Sequence, residues 1–474
     1  MFRQEDNSAM LNYQNAIEEL RNTLGEEKVS TRLNDLEASS HDTWPLMTKL
    51  NLLDQHPNKG DVYITAIEES DITSVLAIAN EHKVPVTVRA LASSVTGQPL
   101  PTKGGIVLDV SELPASYSVN ESNMTVTATS SFNGGDLEDL LVEQGWTLGH
   151  SPQSLYRSTV GGWLATLATG QFSSLYGGIE DLVVGYDVIL ATGEKMSLKA
   201  NPRAAMGPDL RQVFLGSEGT LGVITSVTLK IFRLPPAEAL MTYSVPTVKA
   251  GLDLMREISA SNIKPFLVRF YDTEEAKHAM GDTSFSTPVL FLGSRGLPEM
   301  VDAEQGALNS IATRFGAEAL GPEGVQGWMG RRYDFSTVEN LLATKGGFGE
   351  TIEIAHNWDT IHELWGALKQ ALGPLSDEVL SHFSHIYDQG TSMYMILLSQ
   401  TENDEVAVER LREIWKTTME VCIEYGAELS HHHGGGLARS PYSRRSIGEA
   451  HLILQKMKTA LDPNGILNPG KLGL

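Results

Sequence analysis

Two stretches of this 474-residue chain, residues 149–163 and 216–225, are rich enough in glycine and hydroxyl residues to suggest contact with a ligand. Because glycine has no Cβ, backbone N–H groups there can approach a pyrophosphate closely, and a flat ring can lie against the main chain. Glycine counts alone more often indicate turns. Neither a Walker-type phosphate loop nor a strand-linked Gly-x-Gly-x-x-Gly is present, so a Rossmann-type dinucleotide site is poorly supported.

Three consecutive histidines, His431, His432 and His433, are the second feature that could do chemistry. Adjacent side chains point in different directions, so the run by itself cannot supply a facial set of metal ligands, and we expect no metal. A side chain that titrates near neutral pH suits general base catalysis or hydrogen bonding to a substrate. The single cysteine, Cys422, excludes an internal disulfide, and we interpret it as buried packing.

The elements that would position these residues alternate between strand and helix patterns. Apolar residues at helical spacing from about residue 10 to residue 44 predict a helical extension. Further patterns predict strands at residues 61–64, 84–88, 105–110, 125–129 and 182–190, one helix capped by Asp71, and another at residues 136–144. A turn at residues 191–194 follows the last strand, and the Arg-Leu-Pro-Pro run at residues 233–236 marks a stiff connection where we place a domain boundary.

The charge balance excludes one class of partner. Thirty-six Lys and Arg stand against 59 Asp and Glu, a formal net charge of -23, which would repel a polyanion, so we expect no nucleic acid partner. The first residues lack the apolar core of a signal peptide, and no apolar run is long enough to span a bilayer. We therefore expect a cytoplasmic protein with no integral membrane segment.

As ordered strings, residues 149–163 and 216–225 resemble the signature of the FAD-linked oxidase type 4 family, also called the vanillyl-alcohol oxidase or PCMH-type flavoproteins. The resemblance is strongest to the alkylglycerone-phosphate synthases within that family, and it continues through residues 176–183, 206–210, 430–434 and 461–471. It implies an α+β fold, with a bipartite PCMH-type FAD-binding domain of two α/β subdomains and an α+β cap domain for the substrate. We expect a helical N-terminal extension at 1–57, the FAD-binding domain at 58–236, the cap at 237–429, and a C-terminal segment at 430–474 that returns to the FAD side.

The resemblance implies FAD as a non-covalent cofactor and assigns its contacts residue by residue. The expected cofactor-binding residues are Gln153, Ser154, Ser158, Thr159, Gly161, Gly162, Thr166, Thr169, Glu218, Gly219, Gly222, Val223 and Ile224. The family's pyrophosphate loop, usually a triple glycine followed by Thr-Ser, falls on Ala90, Leu91, Ala92, Ser93 and Ser94. If that loop keeps left-handed conformations, each non-glycine residue costs on the order of 1–2 kcal/mol, and Leu91 adds bulk.

Substrate and proton-transfer residues also follow from the resemblance. Arg269 matches the family arginine that reaches the substrate's anionic group; the alternative is an ion pair with Asp272. Tyr394 matches the acid/base tyrosine of the synthases, although a tyrosine at that strand position could also be simple core. The remaining expected catalytic residues are His150, His431, His432 and His433, of which we place His433 at the flavin edge.

One position disagrees with the synthases. An ungapped estimate puts their second substrate arginine near Glu339, where a carboxylate would repel a phosphate, although Arg331 and Arg332 lie shortly before it. Either these arginines substitute, or the substrate is different.

Three functions remain open at this point. The first is an FAD-dependent oxidoreductase that transfers a hydride from a small hydroxyl-bearing anion, of the 2-hydroxy acid type, to flavin N5. The second is a transferase similar to the alkylglycerone-phosphate synthases, which uses a flavin–substrate adduct without net oxidation. The third, favoured only by the altered loop, is a flavin-free binding protein. Both enzymes imply a small-molecule anionic substrate as partner, and a homodimer is left open.

Overall fold

A computed structural model describes residues 7–474 of the chain, with side chains from residue 13 onward. The elements of its first part are α1 (Asn7–Leu24), β1 (Val29–Ser30), α2 (Leu33–Ala38), α3 (Pro45–Leu52), β2 (Val62–Thr65), α4 (Glu69–His82), β3 (Val86–Arg89) and β4 (Ile106–Asp109). The four strands form one sheet in the order β1-β2-β4-β3, in which only β1 is antiparallel. Leu20 of α1 and Leu76 of α4 are fully buried against this sheet.

The N-terminal segment is helical as expected, but it is not an independent extension. The short strand β1 pairs with β2, and α3 packs through Trp44 and Leu50 into the core of a seven-stranded sheet formed by residues 237–400. Lys49 is fully buried there and donates to the backbone oxygens of Leu342 and Thr344. The segment therefore joins distant parts of the molecule.

Helix α4 begins differently from the prediction. Asp71 does not precede the helix but occupies its third position, and its own N–H donates to the backbone oxygen of Glu68. The Asp71 carboxylate accepts the backbone N–H groups of Ile67 and Glu68, so it satisfies two donors just before the helix. Asp71 also pairs with Lys28 at 2.7 Å, which ties the helix to the turn before β1.

The second part of the chain is a five-stranded antiparallel sheet with short helices. Its elements are β5 (Tyr117–Asn120), β6 (Thr125–Thr129), α5 (Gly134–Glu143), β7 (Trp146–Thr147), α6 (Val160–Thr166), α7 (Ser173–Tyr176), α8 (Ile179–Leu182), β8 (Val183–Ile189), β9 (Lys195–Leu198), β10 (Val223–Lys230) and β11 (Phe232–Arg233). The main sheet has the order β5-β6-β10-β8-β9, and β11 pairs with β7. The strands predicted at residues 125–129 and 182–190 and the turn after them are confirmed.

A seven-stranded sheet dominates the third part. Its elements are β12 (Ala237–Ser244), α9 (Val248–Ala260), β13 (Leu267–Tyr271), α10 (Thr273–Met280), β14 (Val289–Gly296), α11 (Pro298–Arg314), β15 (Glu318–Gly321), α12 (Glu323–Arg331), α13 (Ser336–Ala343), β16 (Gly347–Asn357), α14 (Ile361–Leu372), β17 (Glu378–Ile386), β18 (Gly390–Gln400) and α15 (Asp404–Glu424). The strand order is β15-β12-β14-β13-β17-β18-β16, and we call this the cap sheet. Cys422 of α15 is buried in the core between this sheet and its helices, as expected.

The last part returns to the first sheet. It contains α16 (Gly436–Arg439), α17 (Ser443–Ile447) and α18 (His451–Leu461). Beyond α18, Val86 of β3 donates its N–H to Ile466 O at 2.8 Å, and Asn468 donates its N–H to Val86 O at 2.7 Å. The mixed helix and sheet architecture agrees with the α+β class expected. Among the described residues, no helix combines the length and the apolar character needed to cross a bilayer.

Candidate active site

A row of four side chains crosses one face of the cap sheet. Tyr271, His382, Tyr394 and Glu353 are register neighbours on β13, β17, β18 and β16. Directly paired residues of neighbouring strands project from the same face, so these side chains form one line. On each strand, the residues directly before or after these four point to the opposite face, into the core under the helices. They are Phe270, Ile352, Ile354, Phe383, Met393 and Met395.

Glu353 organises the histidine run. Its fully buried carboxylate accepts the backbone N–H groups of His431, His432 and His433. Burial alone would raise the pKa of Glu353, but the Arg439 guanidinium, 3.2 Å away, and the neighbouring imidazoles lower it to about 2. One charged carboxylate thus turns three consecutive N–H groups toward itself.

The histidine rings contact two tyrosines. His432 Nε2 lies 2.6 Å from Tyr394 Oη, and His431 Nε2 lies 2.5 Å from Tyr387 Oη. Burial lowers the pKa of His431 and His432 to about 3 and that of His433 to about 4, so all three rings are neutral near pH 7. His433, which we placed at the flavin edge, meets Tyr394 edge-on with ring centroids 5.8 Å apart. The histidine bonded to Tyr394 is therefore His432.

Two further histidines extend this cluster and were not singled out from the sequence. His382 Nδ1 lies 2.7 Å from Glu275 Oε1, and the His382 ring stacks on Tyr394 with centroids 4.3 Å apart. Burial raises the pKa of Glu275 to about 7 and lowers that of His382 well below its usual value. His385 Nδ1 lies 2.8 Å from Ser173 Oγ. Tyr394 is thus held between His382 and His432.

The histidines come close enough together to raise the question of a metal. One ring nitrogen from each of His385, His431 and His432 lies within 4.8 Å of the other two. The Nδ1 atoms of His431 and His432 are 2.7 Å apart, and their Nε2 atoms face the two tyrosines. Because every nitrogen of these two rings has a hydrogen-bond partner, we assign no metal ligands here.

Arg269 projects from β13 and has neutral hydrogen-bond partners. Its Nε donates to Tyr271 Oη and its Nη1 donates to Gln171 Oε1, both at 2.7 Å. The alternative of an ion pair with Asp272 is wrong, because Asp272 pairs with Lys369 at 2.8 Å. No carboxylate within residues 13–474 pairs with Arg269, so its positive charge can bind an anion.

A second arginine, Arg332, lies near Phe172, the residue directly after Gln171. The Arg332 guanidinium stands over the Tyr333 ring, 4.4 Å from its centroid, and 5.5 Å from that of Phe172. Glu339, which we expected to oppose an anion, pairs with Arg157 at 2.5 Å, and both side chains are about half exposed. Arg295 lies closer to the Phe172 ring, at 4.9 Å, but it pairs with Glu238. Arg332 is therefore the cation beside Phe172 for which no carboxylate partner is found among residues 13–474, and Glu339 is neutralised elsewhere.

The loop at residues 90–94 has Ala, Leu and Ala where the family has three glycines, but its backbone is less strained than that difference suggests. Among its residues only Ala92 has a positive φ, of 51°. The left-handed cost of about 1–2 kcal/mol therefore applies once rather than at each non-glycine position. Leu91 is 46% exposed, so its bulk is not packed inside the protein.

The N-terminal segment supports this loop. Asp42 Oδ2 accepts the Ser94 hydroxyl and the Gly97 N–H, both at 2.8 Å, and Asp42 Oδ1 accepts the Trp44 N–H at 3.1 Å. The Thr43 hydroxyl donates to Ser94 O at 2.8 Å. Burial raises the pKa of Asp42 to about 6, against the hydrogen bonds that lower it. From the sequence we assigned no role to this segment.

Residues 149–163 fold compactly around Trp163. Its Nε1 donates to Ser158 Oγ at 2.8 Å, and Thr159 caps α6 by accepting the Gly162 N–H at 3.2 Å. Thr166 returns its hydroxyl to Gly162 O at 2.9 Å. The structure thus brings together the expected residues Ser154, Ser158, Thr159, Gly161, Gly162 and Thr166, with Gln153 exposed beside them and Thr169 buried after them.

The surroundings of His150 indicate whether these residues suit a cofactor. It is 2% exposed, and neither ring nitrogen has a hydrogen-bond partner among the described residues. Ser130 Oγ and Ser217 Oγ are buried without partners as well. Buried polar groups are normally hydrogen-bonded, and the phosphates, riboses and ring edges of a dinucleotide would supply the partners. The residues present therefore fit a dinucleotide cofactor.

Glu218 joins the second expected stretch to the C-terminal segment. At φ 51°, it accepts the N–H of Gly435 at 2.5 Å and that of Gly436 at 2.9 Å. Its backbone oxygen accepts the Asn468 amide at 2.6 Å. The side chains of Val223 and Ile224 pack in the apolar cores, and a side chain at Gly222 would collide with Val188. Any cofactor contact of these three residues is therefore through their main chain.

Comparison with known proteins identifies two domains. Residues 60–199 match an FAD binding domain, and residues 234–472 match the C-terminal domain of FAD linked oxidases. The second match alone covers half of the chain.

Several relatives span nearly the whole chain. The uncharacterized FAD-linked oxidoreductase YgcU of Escherichia coli O157:H7 is 31% identical over 96% of this chain and 97% of its own length. The alkyldihydroxyacetonephosphate synthase of Dictyostelium discoideum is 27% identical over 88% of this chain and 74% of its own. The glycolate oxidase subunit GlcD of Bacillus subtilis strain 168 is 25% identical over 88% and 90%.

Solved structures share the fold. An alkyldihydroxyacetonephosphate synthase superposes with a TM-score of 0.79 at 23% identity, over 96% of this chain and 84% of that one. A p-cresol methylhydroxylase with bound substrate gives 0.81 at 17% identity, over 98% and 97%. The expected architecture, a PCMH-type FAD-binding fold with a cap, is confirmed.

Proposed function

Because this chain belongs to the FAD-linked oxidase family and is an FAD-dependent enzyme, we propose that it oxidises a small hydroxyl-bearing anion of the 2-hydroxy acid type. One observation carries the proposal. Arg269 has no carboxylate partner among the described residues and lies on the face of the cap sheet that carries Tyr394, whose hydroxyl contacts His432. A cation and a proton-transfer pair on one face suit a substrate with an anionic group beside a hydroxyl.

Each residue has a defined role in this proposal. Arg269 binds and orients the substrate carboxylate, since a guanidinium offers two parallel donors to two oxygens. Tyr394 Oη accepts the proton of the substrate hydroxyl and passes its own proton to His432 Nε2, 2.6 Å away. The charge of Arg269 favours ionisation of Tyr394, whose pKa burial raises.

The cofactor is held by main chain from both halves of the FAD-binding region. Backbone N–H groups of residues 90–94 would face the pyrophosphate, and the stretches at 149–163 and 216–224 would border the remaining groups. FAD bound there supplies the acceptor for two electrons from the substrate carbon. We propose that it is bound non-covalently, so that acid precipitation releases all of the flavin from the protein.

A reduction screen tests the proposed function. The pure protein should be yellow, and under anaerobic conditions D-lactate, glycolate or 2-hydroxyglutarate should bleach its flavin absorbance. Arg269→Lys keeps a positive charge but loses the paired donors, and it should weaken substrate binding about tenfold or more. If none of the three acids reduces the flavin in the wild type, the proposal is wrong.

The second candidate is the transferase reaction named for the relative from Dictyostelium. It is favoured by Arg332 beside Phe172, which supplies a second cation for a phosphate dianion, and by the pairing of Glu339 with Arg157 away from it. An acylated dihydroxyacetone phosphate should then change the flavin spectrum while the three hydroxy acids leave it unchanged. The opposite pattern excludes this candidate.

The setting of the enzyme is also a proposal. The single cysteine, Cys422, is buried and agrees with a reducing compartment, and we propose that the enzyme is cytoplasmic. We further propose that the divisions at residues 58, 237 and 430 separate the N-terminal segment, FAD-binding domain, cap and C-terminal segment. Analytical ultracentrifugation will decide between a monomer and the homodimer.

A further inference from the structure

Four side chains form one continuous hydrogen-bonded chain through the histidine run. Tyr394 Oη lies 2.6 Å from His432 Nε2, the Nδ1 atoms of His432 and His431 are 2.7 Å apart, and His431 Nε2 lies 2.5 Å from Tyr387 Oη. All three pairs lie within hydrogen-bonding distance. Both nitrogens of each imidazole are therefore used along a single path.

This connectivity permits only two arrangements of hydrogens. A neutral imidazole carries one N–H and one acceptor nitrogen, so if Tyr394 donates to His432, then His432 donates to His431 and His431 donates to Tyr387. In the other arrangement every bond runs the opposite way. The two differ by one proton entering at one end and one leaving at the other.

The two ends of the chain lie in different surroundings. Tyr394 is on the face of the cap sheet that carries Arg269, between His382 and His432. Tyr387 lies in the turn between β17 and β18 and is 37% exposed. The path thus runs from the proposed reaction site to the protein surface.

We propose that Tyr387, His431 and His432 form a proton wire that carries the proton of the substrate hydroxyl from Tyr394 to solvent. The proposal rests on the proposed oxidation. The substrate O–H bond breaks and its proton joins Tyr394 Oη, while one proton shifts along each bond of the wire and Tyr387 releases its own proton to water.

The surroundings favour transient charge on the wire over permanent charge. Burial keeps both imidazoles neutral at rest by lowering their pKa values to about 3. Glu353 Oε2 lies 4.0 Å from His432 Nδ1, and the same carboxylate accepts the backbone N–H groups of both histidines. Its negative charge stabilises the imidazolium that forms while a proton passes.

The test breaks the outermost bond. Tyr387→Phe removes one partly exposed hydroxyl and leaves Tyr394, Arg269 and the histidines in place. We expect the rate constant of flavin bleaching, measured by anaerobic rapid mixing with whichever of D-lactate, glycolate or 2-hydroxyglutarate reduces the wild type, to fall about tenfold. The dissociation constants for substrate and FAD should stay within twofold.

Two controls separate a relay from a packing effect. Tyr117→Phe removes another partly exposed hydroxyl, which accepts a hydrogen bond from Gln144 at 2.9 Å in the second sheet, and its bleaching rate should match the wild type. Added imidazole should restore the rate of Tyr387→Phe in proportion to its concentration, because a small base can replace the missing acceptor beside His431. A packing defect would not respond to imidazole.

The outcomes separate the two proposals. An unchanged bleaching rate in Tyr387→Phe, or a slowed rate that imidazole does not restore, overturns the wire and leaves the oxidation intact. A wild type that no hydroxy acid reduces overturns the oxidation itself. His431→Gln, which interrupts the middle of the path, should also slow bleaching about tenfold or more. A Tyr387→Phe/His431→Gln double variant should be no slower than His431→Gln alone, since one path is broken only once.

Discussion

Two loops of this molecule are each organised by one buried carboxylate, and the two carboxylates behave in opposite ways. Glu353 holds the histidine run and has its pKa lowered to about 2, whereas Asp42 holds the loop at residues 90–97 and has its pKa raised to about 6. Asp42 accepts three hydrogen bonds from neutral donors, whereas Glu353 accepts four such bonds, from the Ser430 hydroxyl and the backbone N–H groups of the histidine run. One additional neutral donor does not account for the difference, because the groups that lower the pKa of Glu353 most are charges.

The difference comes from charged neighbours, of which Arg439 has the largest effect. Arg439 lies 3.2 Å from Glu353 and offsets the cost of burying its charge, while no cation pairs with Asp42 among the described residues. Neutral donors lower the pKa of Asp42 but do not overcome burial. The histidine run is thus held by a permanent charge, and the loop at residues 90–97 is held by a carboxylate that can be protonated in mild acid.

Glu353→Gln should have the largest effect. Removing one charge of a buried pair leaves Arg439 uncompensated, so the free energy of unfolding in urea should fall by roughly 3–5 kcal/mol at pH 7. The matched control is Glu350→Gln on the same strand, because burial raises the pKa of Glu350 to about 8 and its carboxyl is largely protonated already. A loss of the same size in both variants would refute this explanation.

The pH dependence of stability should have opposite signs at the two sites. The lowered pKa of Glu353 contributes stability that is complete above its usual value of 4.5 and is lost as pH falls toward 2. The raised pKa of Asp42 contributes stability that is complete below 3.8 and is lost as pH rises through 6. Each contribution should reach about 3 kcal/mol, since one pKa unit corresponds to about 1.4 kcal/mol.

Unfolding titrations between pH 3 and 7 measure this difference. The free energy of unfolding of Asp42→Asn, relative to that of the wild type, should increase as pH rises from 4 to 7. That of Glu353→Gln, relative to the wild type, should decrease as pH rises from 3 to 5. Parallel curves for both variants would show that the two carboxylates are equivalent and would refute the effect assigned to Arg439.

Asp42→Asn should also weaken cofactor binding. Both Asp42 oxygens accept N–H or O–H groups, so either orientation of an asparagine puts its own NH₂ against a donor from the loop or from Trp44. We expect the FAD dissociation constant, measured by flavin fluorescence, to rise about tenfold, or about 1.4 kcal/mol. Asp54→Asn, at a side chain that is 97% exposed, should leave it unchanged.

Ala92→Gly should have the smallest effect. Relief of the left-handed conformation gains about 1–2 kcal/mol, and the added chain entropy of glycine costs about 0.5–1 kcal/mol. The midpoint of thermal unfolding should therefore rise slightly. Ala90→Gly, at a position without positive φ, should instead lower it, and a rise in both variants would contradict the assignment of strain to Ala92.

Local patterns were enough to predict much of the FAD-binding fold. Strands β2, β3 and β4 are short apolar runs between turns, and their identity does not depend on distant residues. The start of α4 was placed wrongly because Glu68 and Asp71 both carry capping side chains, and only the backbone shows which one precedes the helix.

The site was predictable as a set of residues and not as a set of contacts. Tyr394, Arg269 and the histidine run were found by motif, but their partners depend on contacts such as Tyr394 to His432, 38 residues apart. Glu353 did leave a signal, since a charged residue between Ile352 and Ile354 in an apolar strand indicates a buried carboxylate. Asp42 left none, because the Ser94 and Gly97 contacts are 52 and 55 residues away.

The return of the chain to its first sheet has a consequence during protein synthesis. Asn468 donates to Gln98 O across 370 residues of sequence, and Lys471 donates to Leu100 O across 371. Strand β3 and the loop after it therefore emerge from the ribosome long before the residues that complete their hydrogen bonding. Nascent chains that stall before residue 466 would leave the backbone N–H and C=O groups of Val86 at this edge without their partners.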